Sequence, residues 1–436
     1  MYESMNRPGD RFSRNPRHDP VRFHQGDTRS FLAHHREDVV QTRTKPNGTA
    51  SSLAPRLLKR IADPRTLRLA WDDLARDGGA APGMDGMRAG DLGGHEIWEL
   101  CRTLATVIRA GDYRPGPGRR VNIPKGPGRG DRTIVFQNLM DRVVQRAAML
   151  ILGPVFEPGF DDRSFGFRPG RGVLNALATA ERLTASEGRT VWVADDIRDA
   201  FGRVPVSRLL QIVRKALPDE ELLSFLKLTL TAPGEKGLRQ GGSLSSLMLN
   251  VLLDHMLDRP WRRLQPDLPL IRYADDLLVL ARTTAEGEAA HEWLSARLVA
   301  AGMPLKSVLG TTVNDLVEGA SVPWLGFEVT ISRTQLDYAI PETSWEKLTD
   351  ALDFAHTVDD APLRAVAIIE GWLTQKGPCY RGADRRSVLK RVASAAAERA
   401  FDEIPAGPQL LRVWKTADRR WQPLRTAEPY AAASGP

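Results

Sequence analysis

The chain has 436 residues, 42% of them hydrophobic, and a formal net charge of +7 at pH 7, which indicates a globular protein of two or three domains and favours polyanionic partners. Its two cysteines, Cys101 and Cys379, form no CxxC pair, which argues against a disulfide framework or a structural zinc site and predicts a cytoplasmic protein. No stretch reaches the roughly 18 apolar residues of a membrane span, so no membrane partner is expected.

The first 52 residues differ from the rest in composition. They are rich in Arg, His, Asp, Gly and Pro and show no helical or strand period, which predicts a disordered basic arm. Such an arm is compatible with contact to nucleic acid and equally with a solvated tail. From about Leu53 the pattern becomes helical, and the turn APGMDG at 81–86 ends it.

A basic, glycine-rich segment follows the next helical run. YRPGPGRRVNIPKGPGRGDRTIVF predicts a two-stranded hairpin with strands around Arg120 to Pro124 and Thr133 to Phe136. The connecting loop then holds the basic residues Lys125, Arg129 and Arg132. An amphipathic helix is expected from near Asn138 to near Gly153.

Three aspartates cluster where a predicted strand ends. TVWVADDIRDAFGRVPV, residues 190–206, begins with β-branched and aromatic residues and leads into a turn that carries Asp195, Asp196 and Asp199. Further on, RQGGSLSSLMLNVLLDHML combines a Gly-Gly loop with a helix, for which Ser243 is the expected N-cap.

Two adjacent aspartates interrupt an apolar run at 271–282, IRYADDLLVLAR. The run predicts a hairpin in a half-covered sheet, with Asp275 and Asp276 at the turn. An arbitrary Asp-Asp pair is usually a solvated surface charge. Here the apolar flanks and the acidic strand end at Asp196 favour a carboxylate cluster instead, which is what two-metal phosphoryl transfer requires.

Several motifs occur together in an order typical of one enzyme family. YADD, D-I-x-x-x-F at 196–201, QGGSLSS at 240–246, DRVVQRA at 141–147 and SFGFRPGRG at 164–172 resemble the reverse transcriptases of bacterial group II introns. The likeness runs from GAAPGMDG through PWLGFEV, and more faintly to EGWLTQKGPCY. It implies an α+β, right-hand polymerase fold with fingers, a palm built on an antiparallel sheet, and a helical thumb.

The resemblance implies a metal site formed by Asp196, Asp275 and Asp276, with the backbone of Ile197 beside the second metal. Two Mg²⁺ ions are expected, and Mn²⁺ is a possible substitute. Asp195 and Asp199 fall outside the metal position, so they are expected to be solvated or supporting. The three metal aspartates are intact in this chain.

The resemblance also implies residues that contact the incoming nucleotide. Phe201 matches a steric gate that would clash with a 2′-hydroxyl, although ordinary core packing explains a phenylalanine there equally well. Gln240 and Gly241 match a loop beside the nucleotide and template. Tyr273 is expected beside the primer end, with hairpin core as its alternative.

Basic residues in the matching motifs are expected to contact phosphates. Lys125 and Arg132 match the side chains that clamp the triphosphate. Arg168 and Arg171 are expected to meet template or backbone phosphates. Arg129 fits a solvated loop charge better.

The sequence departs from the family pattern in three places. The lysine that often follows a G-L-x-L-N run is in doubt, since Lys306 is the nearest one. Ser243 and Ser246 replace two prolines that are common in the Gly-Gly loop. No Cys/His set typical of the endonuclease domain occurs, so a stand-alone enzyme without DNA cleavage is expected.

These features predict four segments: the arm at 1–52, fingers at 53–180, the palm at 181–335, and the thumb with a C-terminal tail at 336–436. The resemblance implies an RNA-directed DNA polymerase that extends a DNA or RNA primer on an RNA template with dNTPs. A mobile intron, antiphage defence and CRISPR adaptation are the open biological roles. The alternative is a maturase that stabilises a structured intron RNA for splicing. Priming by a protein side chain and the oligomeric state are left open.

Overall fold

The computed structural model describes residues 31–39, 54–77, 81–124, 131–232, 236–307, 312–332, 335–356, 360–402, 404–405 and 407–426. Its helices, in chain order, are α1 (31–39), α2 (Ala54–Ile61), α3 (Pro64–Asp77), α4 (Gly94–Arg109), α5 (Leu139–Phe156), α6 (Val173–Glu187), α7 (Val206–Ala216), α8 (Glu220–Leu230), α9 (Ser243–Leu253), α10 (Arg259–Leu264), α11 (Thr284–Ala300), α12 (Glu342–Ala355), α13 (Ala361–Gln375), α14 (Arg385–Ala397) and α15 (Gly407–Thr426).

The strands are β1 (Arg119–Pro124), β2 (Asp131–Phe136), β3 (Val191–Asp196), β4 (Leu270–Tyr273), β5 (Asp276–Ala281), β6 (Val313–Asp315), β7 (Val322–Trp324), β8 (Phe327–Ser332) and β9 (Gln335–Ala339). They form a β1–β2 hairpin, a four-stranded sheet in the order β4-β5-β3-β6, and a three-stranded sheet β7-β8-β9. All the pairings between these strands are antiparallel. This mixture of helices and antiparallel sheets is the predicted α+β class.

The four-stranded sheet is covered on both faces. Val193 and Val279 point into a first apolar core, which is shared with α2–α5, α7–α9 and α11. Trp192 and Leu278 alternate with them and point into a second core, which is shared with α6, β7–β9 and α12–α15. The expectation of a half-covered sheet is therefore wrong, because α6 and β7 pack on the second face.

The N-terminal segment is partly ordered. The expectation of a disordered arm is wrong for residues 31–39, which form α1. Its buried His35 lies within hydrogen-bond distance of the carbonyl of Ile151, 2.8 Å from Nε2, and Arg60 forms an ion pair with Asp38. The other residues of the predicted arm lie outside the described residues.

The predicted hairpins and the long helix agree with the structure to within a few residues. The β1–β2 hairpin pairs Arg120 with Val135, and α5 begins one residue after Asn138. Ser243 is the first residue of α9 rather than its N-cap, which is Gly242. No helix among the described residues is long and apolar enough to cross a membrane.

Candidate active site

Three carboxylates meet at one end of the four-stranded sheet. Asp196 is the last residue of β3 and lies directly opposite Asp276, the first residue of β5. Asp275 occupies the turn between β4 and β5, and its carbonyl accepts a hydrogen bond of 3.1 Å from the Ile197 amide. Ala274, beside it, has a φ of +58°, a left-handed conformation that a two-residue hairpin turn requires. The apolar cores cover the strands, so the carboxylates emerge together only where the strands end.

The carboxylates are close enough to disfavour one another's charge. Burial, followed by the neighbouring charge of Asp196, raises the pKa of Asp275 to about 6 and the pKa of Asp276 to about 7. Both residues are half-buried. Burial and nearby negative charges both disfavour the ionised form of a carboxyl group, and so both raise its pKa. The cluster therefore has an excess of negative charge that a cation would relieve.

Lys306 reaches this cluster from the segment that follows α11. Its Nζ donates to Asp196 Oδ2, and its amide donates a 2.8 Å hydrogen bond to the Asp196 carbonyl. Burial opposes charge on the amine, yet contact with Asp196 and the nearby Asp275 raises the pKa of Lys306. The lysine that the sequence left in doubt thus lies at the carboxylates.

Asp195 is buried beside the carboxylates and supports their positions. Of the two roles expected from the sequence, solvated or supporting, the structure agrees with the second. The Asp195 side chain is buried, and its Oδ2 lies 2.9 Å from His291 Nε2 on α11. Its Oδ1 accepts hydrogen bonds from the amides of Asp196, 2.8 Å, and Ser307, 3.2 Å. Asp199, by contrast, is exposed. Asp195 therefore links β3 to the segment that carries Lys306.

A buried arginine braces the turn that carries Asp275, and sequence analysis did not single it out. Arg272 on β4 donates to both carboxylate oxygens of Asp258, to Asn250 Oδ1 at 2.8 Å and to the Ala274 carbonyl at 3.0 Å. Gly166 packs on the other side, since a Cβ there would come 2.2 Å from the Ala274 nitrogen. An arginine inside the apolar run LPLIRYADD was the available signal, because a buried charge needs a partner.

An open cleft of about 2140 Å³ contains the carboxylates and Lys306. Small-molecule pockets are typically about 300 to 1,000 Å³. The cleft also contains Phe201, Gln240, Gly241 and Tyr273, together with residues of α5 and α13. The space is therefore large enough for a polymeric ligand at the carboxylates.

The glycine-rich loop is held against the β1–β2 hairpin. Gly241 has a φ of +83°, and a Cβ there would come 2.4 Å from the Val135 carbonyl oxygen. The Gln240 carbonyl accepts a 2.7 Å hydrogen bond from Gln137, whose side-chain oxygen accepts one from Gln145. Gln240 and Gly241 remain exposed on the cleft. Only glycine fits this close approach at a positive φ.

Phe201 and Tyr273 are both half-buried and border the cleft. Phe201 packs against the first core and Tyr273 against the second. Each side chain thus has both the packing of a core residue and a surface toward the carboxylates. Ile197 is fully buried, and only its backbone takes part in the contact with Asp275.

A lysine of the C-terminal helices also borders the cleft. Lys376 is buried, donates to the Gly326 carbonyl at 3.2 Å, and lies 4.6 Å from the centre of the Phe327 ring and 5.4 Å from that of Trp372. Burial lowers its pKa to about 8. It belongs to the WLTQKG stretch, which the sequence associated only faintly with the family.

The basic residues expected at phosphates have different positions. Lys125 lies outside the described residues, as does Arg129, for which a solvated loop charge was expected. Arg132 is a residue of β2 paired with Ile123. Arg168 is buried and forms an ion pair with Glu157 at 2.9 Å, and it donates to two backbone carbonyls. Arg171 forms a 3.0 Å ion pair with Asp162 and is also largely buried. Both arginines border the cleft, and their guanidinium groups also hold their own loop, so a contact with phosphates stays a prediction.

The donor set is chemically suited to Mg²⁺, which prefers carboxylate oxygens. Asp196 Oδ1 is buried and has no hydrogen-bond partner among the described residues. Across the same residues, however, no three acidic, histidine or cysteine side chains, these carboxylates included, have the geometry to hold a metal ion as they stand. The carboxylates therefore fit the ion by chemistry, while their present arrangement is not a complete ligand set.

Comparison with known proteins finds relatives of the segment that contains these residues. The family model described as reverse transcriptase (RNA-dependent DNA polymerase) matches residues 123–329. The group II intron-encoded protein LtrA of Lactococcus lactis subsp. cremoris is 29% identical over 170 residues, 37% of this chain and 28% of LtrA. The chain carries a reverse transcriptase domain of the group II intron type. This confirms the resemblance and the predicted right-hand polymerase fold.

The reverse transcriptase domain has further relatives. Protein YkfC of Escherichia coli is 34% identical over 212 residues, which cover 46% of this chain and 55% of YkfC. The chain thus matches about half of YkfC and little more than a quarter of LtrA. The solved structure of a telomerase from Candida albicans, in complex with a fragment of telomeric RNA, aligns with 72% of this chain. The alignment spans 63% of the telomerase chain at 12% sequence identity. Its TM-score of 0.37 is too low to support an argument.

Proposed function

We propose that this protein is an RNA-directed DNA polymerase that extends a primer 3′-OH with dNTPs on an RNA template. The observation that supports it most is the meeting of Asp196, Asp275 and Asp276 in one open cleft within the reverse transcriptase domain. The protein's compartment is proposed to be the cytoplasm, in keeping with the buried free thiols of Cys101 and Cys379.

The carboxylates of Asp196, Asp275 and Asp276 would hold Mg²⁺, with Mn²⁺ as a substitute. When bound, the ions supply charge neutralisation on the transferred phosphate and lower the pKa of the attacking hydroxyl. Holding cations is what the excess negative charge of this cluster favours. Lys306, which contacts Asp196, would donate a proton to the departing pyrophosphate or stabilise its negative charge.

The walls of the cleft would orient the substrates. The exposed Gln240 and Gly241 would contact the incoming nucleotide, since a glycine loop permits close backbone approach. Phe201 would border the sugar and exclude a 2′-hydroxyl, which makes dNTPs the preferred substrates. Lys376, at the end of α13, would face the primer-template duplex, where its positive charge would attract the backbone phosphates.

The test is extension of a labelled DNA primer with Mg²⁺ on an RNA template and, in parallel, on a DNA template of the same sequence. Asp275→Asn should abolish extension, since it removes one carboxylate from the cluster. Asp337→Asn is the matched control, because Asp337 is an exposed carboxylate on β9 that does not border the cleft. The proposal fails if wild-type protein extends neither template, or if Asp275→Asn extends as well as Asp337→Asn.

The alternative function is that of a maturase, an RNA-binding protein for a structured intron. Both functions would use the positive charge of the chain and the cleft to bind RNA. Only the polymerase function requires the carboxylates. Binding of a folded intron RNA by wild type and Asp275→Asn separates the two. Splicing support that survives this substitution, without any primer extension, would favour the maturase.

A further inference from the structure

Phe167 is an aromatic side chain held open to the cleft. It is 52% exposed and borders the same cleft as the carboxylates, whereas Phe165, two residues earlier, is buried. Its φ of +60° is a left-handed conformation that bulky residues rarely adopt. Strained backbone persists where surrounding structure fixes it, and it often occurs at functional sites. An exposed, strained phenylalanine therefore calls for a function beyond core packing.

The loop of Phe167 is fixed to the catalytic turn. The Phe165 amide donates a 2.8 Å hydrogen bond to the Arg272 carbonyl, and the Gly166 carbonyl accepts one of 2.8 Å from Asn250. Gly166 lies directly against Ala274, which precedes Asp275. The backbone on the N-terminal side of Phe167 thus has a defined position relative to the carboxylates.

The Phe167 ring contacts the ring of Phe201. The two ring centres are 6.1 Å apart, and their planes cross at 70°. Aromatic pairs favour this edge-to-face geometry. The backbone of Phe201 is fixed separately, since its carbonyl accepts a 2.8 Å hydrogen bond from the Leu238 amide. The contact with Phe167 therefore restricts movement of the Phe201 ring.

We propose that Phe167 is a specificity-determining residue that holds the Phe201 ring where it excludes the 2′-hydroxyl of an incoming nucleotide. This inference rests on the proposed polymerase function and on Phe201 as the steric gate. A gate rejects a ribose only if its ring cannot turn away, and the contact with Phe167 supplies that restraint. A stacking platform for bases is the competing role, and it would affect dNTPs and rNTPs equally, because both carry the same base faces.

The experiment measures nucleotide binding without chemistry. Full-length protein is bound to an RNA template and a DNA primer that ends in a 3′-dideoxynucleotide. The affinities of the next complementary dNTP and of the matching rNTP are then determined with Mg²⁺. We expect Phe167→Ala to lower the preference for the dNTP by about tenfold, the low end of what one side-chain group supplies in substrate discrimination. Phe167→Tyr keeps the ring and should keep the preference.

Coupling between the two rings provides a second criterion. Phe201→Ala should remove the preference, and adding Phe167→Ala to it should have no further effect, because residues that act through one another are not additive. Phe354→Ala is the matched control, since Phe354 is an exposed phenylalanine on α12 that does not border the cleft. Circular dichroism checks that every variant is folded.

The inference is overturned if Phe167→Ala keeps the wild-type preference, or if it weakens dNTP and rNTP binding equally. It is also overturned if wild type shows no preference, because then there is no gate to hold. Failure of the proposed function gives a different result. In that case an extendable primer is not elongated, although the blocked complex still prefers the dNTP in a manner that depends on Phe167.

Discussion

Asp195 and His291 form a buried pair behind the carboxylates of Asp196, Asp275 and Asp276, with Oδ2 and Nε2 2.9 Å apart. The other oxygen of Asp195 accepts from the amides of Asp196 and Ser307. One carboxylate thus fixes the strand end that carries Asp196 and the segment that carries Lys306. Asp195 does not border the cleft, so it acts through its neighbours.

Asp195→Ala should lower both stability and turnover. It leaves two amides and a buried imidazole without their acceptor, and each such loss costs about 1–3 kcal/mol of unfolding free energy. We expect kcat for primer extension to fall by about 10- to 100-fold, since small misplacements of catalytic groups have effects of that size. Urea unfolding and steady-state kinetics measure the two effects.

Asp195→Asn separates positioning from simple folding. The amide keeps one acceptor oxygen for the backbone of Asp196 and Ser307, so kcat should recover more than stability does. If Asp195→Ala and Asp195→Asn lose stability equally and keep wild-type kcat, Asp195 has no positioning role.

Gly166→Ala should disable the site while leaving the fold. The added Cβ would come 2.2 Å from the Ala274 nitrogen and displace the turn that carries Asp275. We expect the extension rate to fall by about 100-fold or more, as for other misplacements of reacting groups. Gly94→Ala is the control, because a Cβ at Gly94 meets nothing within 4 Å. Equal rates for the two variants would show that the contact with Ala274 does not position Asp275.

Arg272→Met should be strongly destabilising. Arg272 and Asp258 are both buried, and removal of the arginine leaves an unpaired buried carboxylate. Breaking such a pair costs about 3–5 kcal/mol of unfolding free energy. Arg214→Met breaks an exposed ion pair with Glu220 and should cost about 0–1 kcal/mol. Urea unfolding at pH 7 compares the loss of unfolding free energy in the two variants. Equal losses would show that the Arg272–Asp258 pair contributes no more than an exposed ion pair.

Asp254 should make stability depend on pH. Burial, with the nearby Asp258, raises its pKa to about 6, and its Oδ1 has no hydrogen-bond partner among the described residues. A raised acid pKa means that the ionised form destabilises the folded state. This cost is absent below the unfolded pKa near 4 and develops as the pH rises through about 6.

Asp254→Asn should therefore raise the unfolding free energy at pH 7.5 by about 2 kcal/mol. The gain comes from removing a pKa shift of about two units, and it is reduced by the loss of the ion pair with Arg259. The gain should disappear near pH 4. Unfolding curves at the two pH values measure it. A gain of equal size at both would mean that titration of Asp254 is not its cause.

The carboxylate cluster could be predicted from sequence because its signals are local. Asp275 and Asp276 interrupt an apolar run at a hairpin turn, and Asp196 ends another strand. The pairing of β3 with β5 then sets Asp196 opposite Asp276. The predicted half-covered sheet was wrong because α6 and Trp324 of β7 pack on the second face, and no local sequence pattern placed them there.

Internal partners of charged groups could not be predicted in this way. Arg168 and Arg171 have the composition of a phosphate-binding loop, but the folded loop turns them toward Glu157 and Asp162. The position of Lys306 likewise follows from pairing of its backbone with Asp196, not from motif spacing. α1 was missed because its apolar residues stand at its two ends, at 31–33 and at Val39, with a polar run at 34–38 between them, so no clear period results.

The most direct test of the account compares wild type with Asp275→Asn/Asp276→Asn in extending a labelled DNA primer on an RNA template with Mg²⁺ and dNTPs. RNA-template binding is measured on the same samples to show that both proteins engage the substrate. The account predicts full-length product from wild type, none from the double variant, and similar binding by both. Equal extension by both proteins, or none by wild type despite binding, would contradict a polymerase site at these carboxylates.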